Sequence, residues 1–368
     1  MGKLAVIADV HIDDYADYAK PVQGKAYGSR MQIILDSITK AYQVAVDKGC
    51  SGMVVNGDYF NRRSSMSPTI YQEGINCLLK AIKGTPKGFY THIVVGNHDE
   101  QGRYTEPNSV DIFKHFSTDE HAIKVYSKVT LVDTSDSQLL FVPFSEDTET
   151  IKQDIQSQLK KVDKPLTVFA HLGIEGSVSG RWSHRLDGAF NLTDLGWDNP
   201  NTVGILAGHY HTRQILRQEG NKIARYTGDL TELNFNDIDD NGWGADRGMD
   251  IVDTLTGKQE FVPIETPKFI VINLDDTNKT SDEIMDIQKD NYVRVITSKK
   301  EVMEDFKEVD NSENLSFDYK PKQEVKSRLG VKSTASEQEI VTAYCKHEKL
   351  SDDTTKMAVS ILQQALEQ

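Results

Sequence analysis

Residue types that bind metals recur at five places in the N-terminal part of the chain. They are Asp9 and His11 in "ADVH", Asp58 in "NGDYF", Asn97, His98 and Asp99 in "GNHD", His171 in "FAH", and His209 and His211 in "GHYH". Imidazoles and carboxylates without thiolates suit Mn, Fe or Zn over a soft metal or an iron–sulfur cluster. A carboxylate can bridge two cations, and Asp58 is the isolated acid among these groups. Two divalent ions about 3.5–4 Å apart clamp the attacking and leaving oxygens of an in-line displacement at phosphorus. The chemistry suggested is metal-assisted hydrolysis of a phosphate ester. Taken singly, each group is an ordinary polar turn. "GNHD" and "GHYH" are more specific, and the joint occurrence is what argues for a site.

Each group directly follows a short apolar, β-rich run: "LAVIA" (4–8), "GMVVN" (52–56), "HIVVG" (92–96), "LTVFA" (166–170) and "VGILAG" (203–208). In open α/β sheets the carboxyl ends of the strands converge on one rim, where ligands bind, so residues from 9 to 211 are expected to meet there. Gly57, Gly96 and Gly208 are expected to let the backbone turn sharply beside the ions. Helical patterns cover 29–49, ending at a Gly49 cap, then Pro68 through Ile82, and 148–161. With a further strand at 138–144, this is the pattern of a layered α/β domain. His92, His115, His121 and His347 have no strand-end setting and are read as surface or packing residues.

Beyond His211 a hairpin is expected with its turn at Glu219, Gly220 and Asn221. A boundary near Pro263–Pro267 divides a first domain, 1–265, from a second, 266–325. The second reads β-α-β-α-β, with helices over 281–290 and 299–309. The tail, 326–368, opens a helix with the capping box "SEQE" and carries Ile340, Val341, Tyr344 and His347. Another helix after Ser351 places Met357, Ala358, Ile361, Leu362, Ala365 and Leu366 on one stripe.

The 368 residues carry a formal charge of −14, with 38% hydrophobic and 27% charged residues. So acidic a chain repels nucleic acid unless a local basic patch, metal ions or a basic partner intervenes. The three cysteines, Cys50, Cys77 and Cys345, form no CxxC and no pairing framework, which fits a reducing compartment. The apolar run before Asp9 is too short for a signal-peptide core or a membrane span. A soluble, cytoplasmic protein is expected.

The series "DVH … GDYFNRR … GNHD … AH … GHYH" resembles the calcineurin-like metallophosphoesterases. Within them it is most similar to the SbcD-type DNA double-strand-break nuclease subunits of bacteria and large bacteriophages. The likeness continues through "RYTGDLTELNFND" (225–237) and 247–269. It implies a layered β-sandwich core flanked by helices, with a small α/β DNA-capping domain and C-terminal helices. By position it implies one ion on Asp9, His11, Asp58 and His211 and another on Asp58, Asn97, His171 and His209. The cations implied are Mn2+ first, with Mg2+, Fe2+ or Zn2+ as alternatives. His98 becomes the catalytic histidine that is not a ligand, and Asp99 is expected to orient its ring. Two positions depart from the family pattern: Asn61, where many members have histidine, and Asp229, where serine is common.

For DNA contact, Arg62 and Arg63 follow the Asp58 motif, and Arg181, Trp182, His184 and Arg185 form a basic, aromatic patch between His171 and His209. The resemblance further implies an SbcC-type, SMC-like ATPase partner bound by the tail. It also implies a homodimer through the phosphoesterase domain, with 68–82 and 107–116 as candidate contacts, and no membrane. Two rivals stand beside the nuclease. One is a phosphoesterase acting on phosphoproteins or nucleotides. The other is a scaffold with an inactive site, disfavoured because every ligand position is filled.

Overall fold

Alternate residues of β1 (Lys3–Ile7) are buried on opposite faces, and that alternation sets the layering. Leu4 and Val6 join an apolar cluster with Leu139, Phe141, Phe169 and Leu206, while Ala5 and Ile7 join one with Ile34, Ile38, Val55 and Ile93. The computed structural model describes residues 2–101, 107–178, 190–239, 241–277, 279–301, 314–321, 329–331 and 335–366. After β1 come α1 (Ser29–Asp47), β2 (Gly52–Asn56), α2 (Pro68–Lys83), β3 (Tyr90–Val94), β4 (Ile123–Tyr126) and β5 (Thr130–Asp133). Then follow β6 (Gln138–Val142), α3 (Thr148–Leu159), β7 (Leu166–His171), β8 (Thr202–Gly208), β9 (Gln214–Glu219), β10 (Lys222–Tyr226), β11 (Gly248–Asp253) and β12 (Gln259–Pro263).

These strands make two six-stranded sheets, ordered β12-β11-β1-β2-β3-β4 and β5-β6-β7-β8-β10-β9. Strands β1 to β4 run parallel in the first, and β6, β7, β8 and β10 in the second. Antiparallel pairing is confined to the outer strands. The apolar faces of the two sheets stack, with β7 against β2 and β3. Helices α1 and α2 cover the outer face of the first sheet through Met31, Ile38, Ile70 and Leu78. Helix α3 and Trp197 cover that of the second through Ile151, Ile155 and Leu159. This is the expected α/β class, a β-sandwich flanked by helices. The single rim expected from one open sheet is replaced by the facing rims of two.

Local chemistry accounts for the helix ends. Ser67 Oγ accepts from Ile70 N at 3.2 Å and Pro68 opens α2. Gly49 takes φ +71 just past α1.

A three-stranded sheet follows, β13 (Phe269–Asn273), β14 (Tyr292–Thr297) and β15 (Leu315–Tyr319), in that order, with α4 (Ser281–Ile287) between β13 and β14. Ile284 of α4 packs on Ile270, Ile272, Val293 and Val295. Tyr18, from the loop after β1, packs against Phe269 and Tyr292, and the Arg30 guanidinium lies 4.9 and 5.4 Å from those two rings. Most of the helix expected over 299–309 lies outside the described residues.

The chain divides into two compact units, Met1–Asp318 and Tyr319–Gln368. Within the second, α5 (Glu337–His347) starts at the expected capping box, where Glu339 N donates to Ser336 Oγ at 3.3 Å and Ser336 N to Glu339 Oε2 at 2.7 Å. On α6 (Asp352–Leu366) Met357 and Ile361 are 66% and 60% exposed. Among the described residues no helix is long and apolar enough to cross a membrane.

Candidate metal centre

The turns that leave β1 and β2 are laced together: Asp9 N donates to Gly57 O at 3.2 Å and His11 N to Asp58 O at 2.9 Å. Their backbones are strained to do it. Asp9, His11 and Asp58 have φ of +49, +50 and +51, and His209, at the end of β8, has +104. Among the described residues only Tyr18 and Lys349 share this left-handed region without being glycine. Each such residue costs on the order of 1–3 kcal/mol, and such strain collects at functional sites. Gly57 turns as expected, at φ +88, but it also makes room: a Cβ there would lie 2.0 Å from His171 Nδ1. At Gly96 room is the whole requirement, since a Cβ would lie 2.2 Å from Asp58 Oδ1.

All seven sequence-predicted ligands come together at this rim. Asp58 Oδ2 is 3.6 Å from His11 Nε2 on one side and 3.2 Å from His171 Nε2 on the other. On the first side, His11 Nε2 and His211 Nε2 approach to 3.1 Å, and Asp9 groups with both histidines. Two donors on one ion with bonds of about 2.1 Å sit roughly 3.0–3.4 Å apart, so this pair has the spacing of co-ligands. On the second side, Asn97 Oδ1 lies 3.2 Å from His171 Nε2 and 2.8 Å from His209 Nδ1. Donors from both sheets therefore form two groups that share Asp58.

Protonation tests the fit. His171 Nδ1 is 2.8 Å from the Asn56 carbonyl, which can only accept, so Nδ1 carries hydrogen and Nε2 faces Asp58. Burial opposes charge on His171, but the Asp58 and Asp9 carboxylates outweigh it and push the imidazole up to about 10. Burial raises Asp58 too, yet His171 and His11 hold it well below the usual carboxylate range. His11 and His209 are pushed down to about 3, chiefly by burial, and so present neutral nitrogens. Two neutral imidazoles, a carboxylate between two nitrogens and an amide oxygen fit a pair of divalent cations, one of which would replace the proton on His171 Nε2.

His98 also stands at ligand spacing from His11 and Asp58, and a further such group, His211, Asp229 and Asp237, already holds a cation. The buried Arg247 guanidinium sits 2.8 Å from Asp229 Oδ1 and donates to the His211 carbonyl at 2.5 Å. This is a brace for His211.

His98 lies beside the donors, its ring 4.7 Å from that of His11 and perpendicular to it. Its N–H donates to Asp58 Oδ1 at 2.7 Å, and its Nδ1 is 2.5 Å from the Asn61 carbonyl. The carbonyl accepts, so Nδ1 is protonated and Nε2 is the working nitrogen. The expectation that Asp99 orients this ring needs correcting. Asp99 Oδ1 accepts from Tyr59 N and Phe60 N at 3.1 and 3.2 Å, and Oδ2 from Gly96 N at 3.0 Å. Both its oxygens are thus turned to backbone donors, and it ties the two loops together. Burial and then Asp58 push it up to about 7.

Arg62 Nε donates to Asp13 Oδ2 at 2.8 Å, with the side chain 53% exposed, and Arg63 is exposed beside it. Arg181, Trp182, His184 and Arg185 lie outside the described residues. Sequence reasoning missed Asp13, Asn56 and Arg247. Asn56 Nδ2 donates to Ala170 O and Leu206 O at 3.2 and 3.0 Å, so it crosses from the first sheet to β7 and β8 of the second. A polar residue closing an otherwise apolar strand was the available signal. His92 is a packing residue as expected: it is buried, stacked on Phe141, with Nδ1 2.8 Å from Tyr126 Oη.

The model of the calcineurin-like phosphoesterase family matches residues 2–213. The chain is 23% identical over 266 residues to the DNA double-strand break repair protein Mre11 of Sulfurisphaera tokodaii, an alignment covering 71% of this chain. It spans 64% of the length of that relative. Among solved structures, a dimetal phosphatase from Danio rerio shares 12% identity over 72% of this chain and 99% of its own, with a TM-score of 0.44. The purple acid phosphatase PPD1 of yellow lupin shares 14% over 73% of this chain and 47% of its own, with a TM-score of 0.38.

Proposed function

We propose, from the premise that this chain belongs to the calcineurin-like phosphoesterase family, that it is a metal-dependent DNA nuclease subunit. It acts as an exonuclease on double-strand ends and as an endonuclease on single strands. The observation that carries the reading is the pair of donor groups sharing Asp58, with His98 at ligand spacing from His11 and Asp58 but with its Nδ1 turned to the Asn61 carbonyl. The family is one of dimetal phosphoester hydrolases, and the likeness to Mre11 supports DNA as the substrate.

In this reading Asp9, His11, Asp58 and His211 hold one divalent ion and Asp58, Asn97, His171 and His209 the other. Mn2+ is our first choice. Such a pair, when bound, supplies Lewis acidity at phosphorus and lowers the pKa of water. The chain's own part is orientation and proton delivery. Asn56 fixes the His171 tautomer and Arg247 braces His211. His98, held with Nδ1 on the Asn61 carbonyl, donates from Nε2 to the leaving oxygen. Arg62 and Arg63, at the same rim, steady the phosphate backbone against the overall negative charge. Residues 266–325 cap the DNA. Residues 326–368, with Met357 and Ile361 exposed, dock an SbcC-type, SMC-like ATPase in the cytoplasm of a bacterium or phage-infected cell. The phosphoesterase domain forms the homodimer.

Linear duplex, single-stranded circle, phosphopeptide and nucleotide monoester, each incubated with the Mn2+-loaded chain, separate the readings. Degradation of the DNA substrates is expected. Turnover confined to the phosphopeptide or the monoester would replace the nuclease with the corresponding phosphatase, and inactivity with no Mn retained on dialysis would revive the scaffold. Deleting 326–368 is expected to abolish pull-down of the ATPase and leave DNA cleavage intact.

A further inference from the structure

Asp13 stands two residues after His11, is 3% exposed, and belongs to none of the donor groups. Its carboxylate is nevertheless fully engaged. Oδ2 accepts from Asn61 Nδ2 at 2.7 Å and from Arg62 Nε at 2.8 Å. Oδ1 accepts from Arg62 Nε at 3.0 Å and from Asp14 N at 2.9 Å. Asn61 N donates in turn to Ile12 O at 3.2 Å. The peptide plane between Asn61 and Arg62 is therefore gripped from both ends by side chains that converge on one buried acid.

That plane carries the carbonyl that accepts from His98 Nδ1. The other anchor of His98, its N–H on Asp58, fixes the backbone and leaves the ring free to turn about its χ angles. Asp99, the acid next to it in sequence, is spent on backbone donors. Asn61 also stands where many members of the resembled family carry histidine, and its amide is the arm that reaches Asp13.

We propose that Asp13 is a positioning residue for His98: through Asn61 and Arg62 it fixes the carbonyl that sets the ring's orientation and tautomer. This rests on the reading of His98 as the donor to the leaving oxygen. In that step the ring starts as the imidazolium, with Nδ1–H on the Asn61 carbonyl; the Nε2–H bond breaks, leaving the neutral Nδ1–H imidazole, and an O–H bond forms on the leaving oxygen as it departs with the electron pair of its P–O bond. Water supplies the oxygen added to phosphorus, and the imidazole regains its proton from solvent. A ring that drifts delivers the proton less well, and the deficit grows with the basicity of the leaving group.

The test is a series of aryl phosphodiesters running from p-nitrophenol to unsubstituted phenol as leaving group, on the full chain with Mn2+. Asp13→Ala is expected to lower kcat on the phenyl ester by about ten- to a hundredfold and on the p-nitrophenyl ester by no more than about twofold, with KM unchanged. His98→Ala steepens the same dependence further, and the double variant loses no more than His98→Ala alone. Asp13→Asn, whose amide oxygen still accepts from Asn61, recovers most of the loss. Equal losses across the series, a loss of metal content in Asp13→Ala, or a double variant worse than His98→Ala would overturn the inference, because each makes Asp13 a support of the whole site. If His98→Ala leaves the leaving-group dependence unchanged, the role given to His98 falls, and this inference with it. A chain that hydrolyses the esters yet leaves DNA intact removes the nuclease reading alone.

Discussion

Two fully buried histidines sit on parallel strands of facing sheets and meet opposite fates. His92, inside β3, is walled by Tyr126 and Phe141, and burial pushes it down to about 3. His171, at the end of β7, is equally enclosed and is pushed up to about 10 once Asp58 and Asp9 outweigh the same burial. The difference lies in where along the strand each stands. Within the sandwich the side chains in reach come from the neighbouring strand and the facing sheet, and here the rings of Tyr126 and Phe141 supply them. At the carboxyl end the backbone turns, and the turns of β1 and β2 bring carboxylates. Burial alone discharges an imidazole; burial beside acids makes a position that holds a proton or a metal ion.

Removing the carboxylate is the severest way to break this contrast. Asp58→Asn strips His171 of its nearer carboxylate, leaving only Asp9 at 3.9 Å, and is expected to empty both ion positions, lowering phosphodiesterase activity by about a thousandfold or more. Elemental analysis and single-turnover assays would read both. Next in size, His98→Ala is expected to lower activity on DNA by about a hundred- to ten-thousandfold with metal content unchanged, since the proposed reading makes His98 a proton donor although it stands at ligand spacing from His11 and Asp58. Parallel loss of metal would make it a ligand.

A smaller effect follows from His171 itself. Below about 10 it is protonated without an ion, and binding at Nε2 must expel that proton. Affinity therefore rises with pH, about tenfold per unit for each proton released across the neutral range. Calorimetry in buffers of different ionisation enthalpy counts the protons, and none released would contradict the assignment. Smallest is the response of His92. Its folded value lies below the unfolded one near 6.5, so the unfolded chain takes up the proton first as pH falls. The stability it confers is complete above about 6.5 and is lost as pH falls toward 3, by about 2 kcal/mol at pH 5. His92→Phe keeps the ring stack and should flatten that part of the unfolding profile, measured by denaturant titration at pH 5 and 7.5.

Much of this was legible because each strand of the rim is a short apolar run stopped by a polar cluster, and the runs at 52–56 and 166–170 match β2 and β7 closely. The partition into two sheets was not legible. β1 and β8 have the same patterning, both being buried on two faces, and nothing in either says which sheet it joins. The switch happens between β4 and β5, two four-residue strands at sheet edges that are too short and too exposed to show a strand period. Asp13 and Asn61 were invisible for another reason: they are 48 residues apart and meet only because Ile12 and Phe60 pair in a bridge beyond the strands. Asp99 was given to its neighbour in sequence, whereas its oxygens went to backbone groups that the turn had left unpaired.

Asn56 has a consequence for the geometry of the rim. Its side-chain amide spans from the first sheet to the backbones of two strands in the second, directly behind Gly57 and Asp58. The gap across which the ligands face one another is therefore gauged by the thickness of the sandwich, and the loops only decorate its edge. Insertions or exchanges in those loops can retune which molecule enters the mouth, while the gauge behind it stays at its setting.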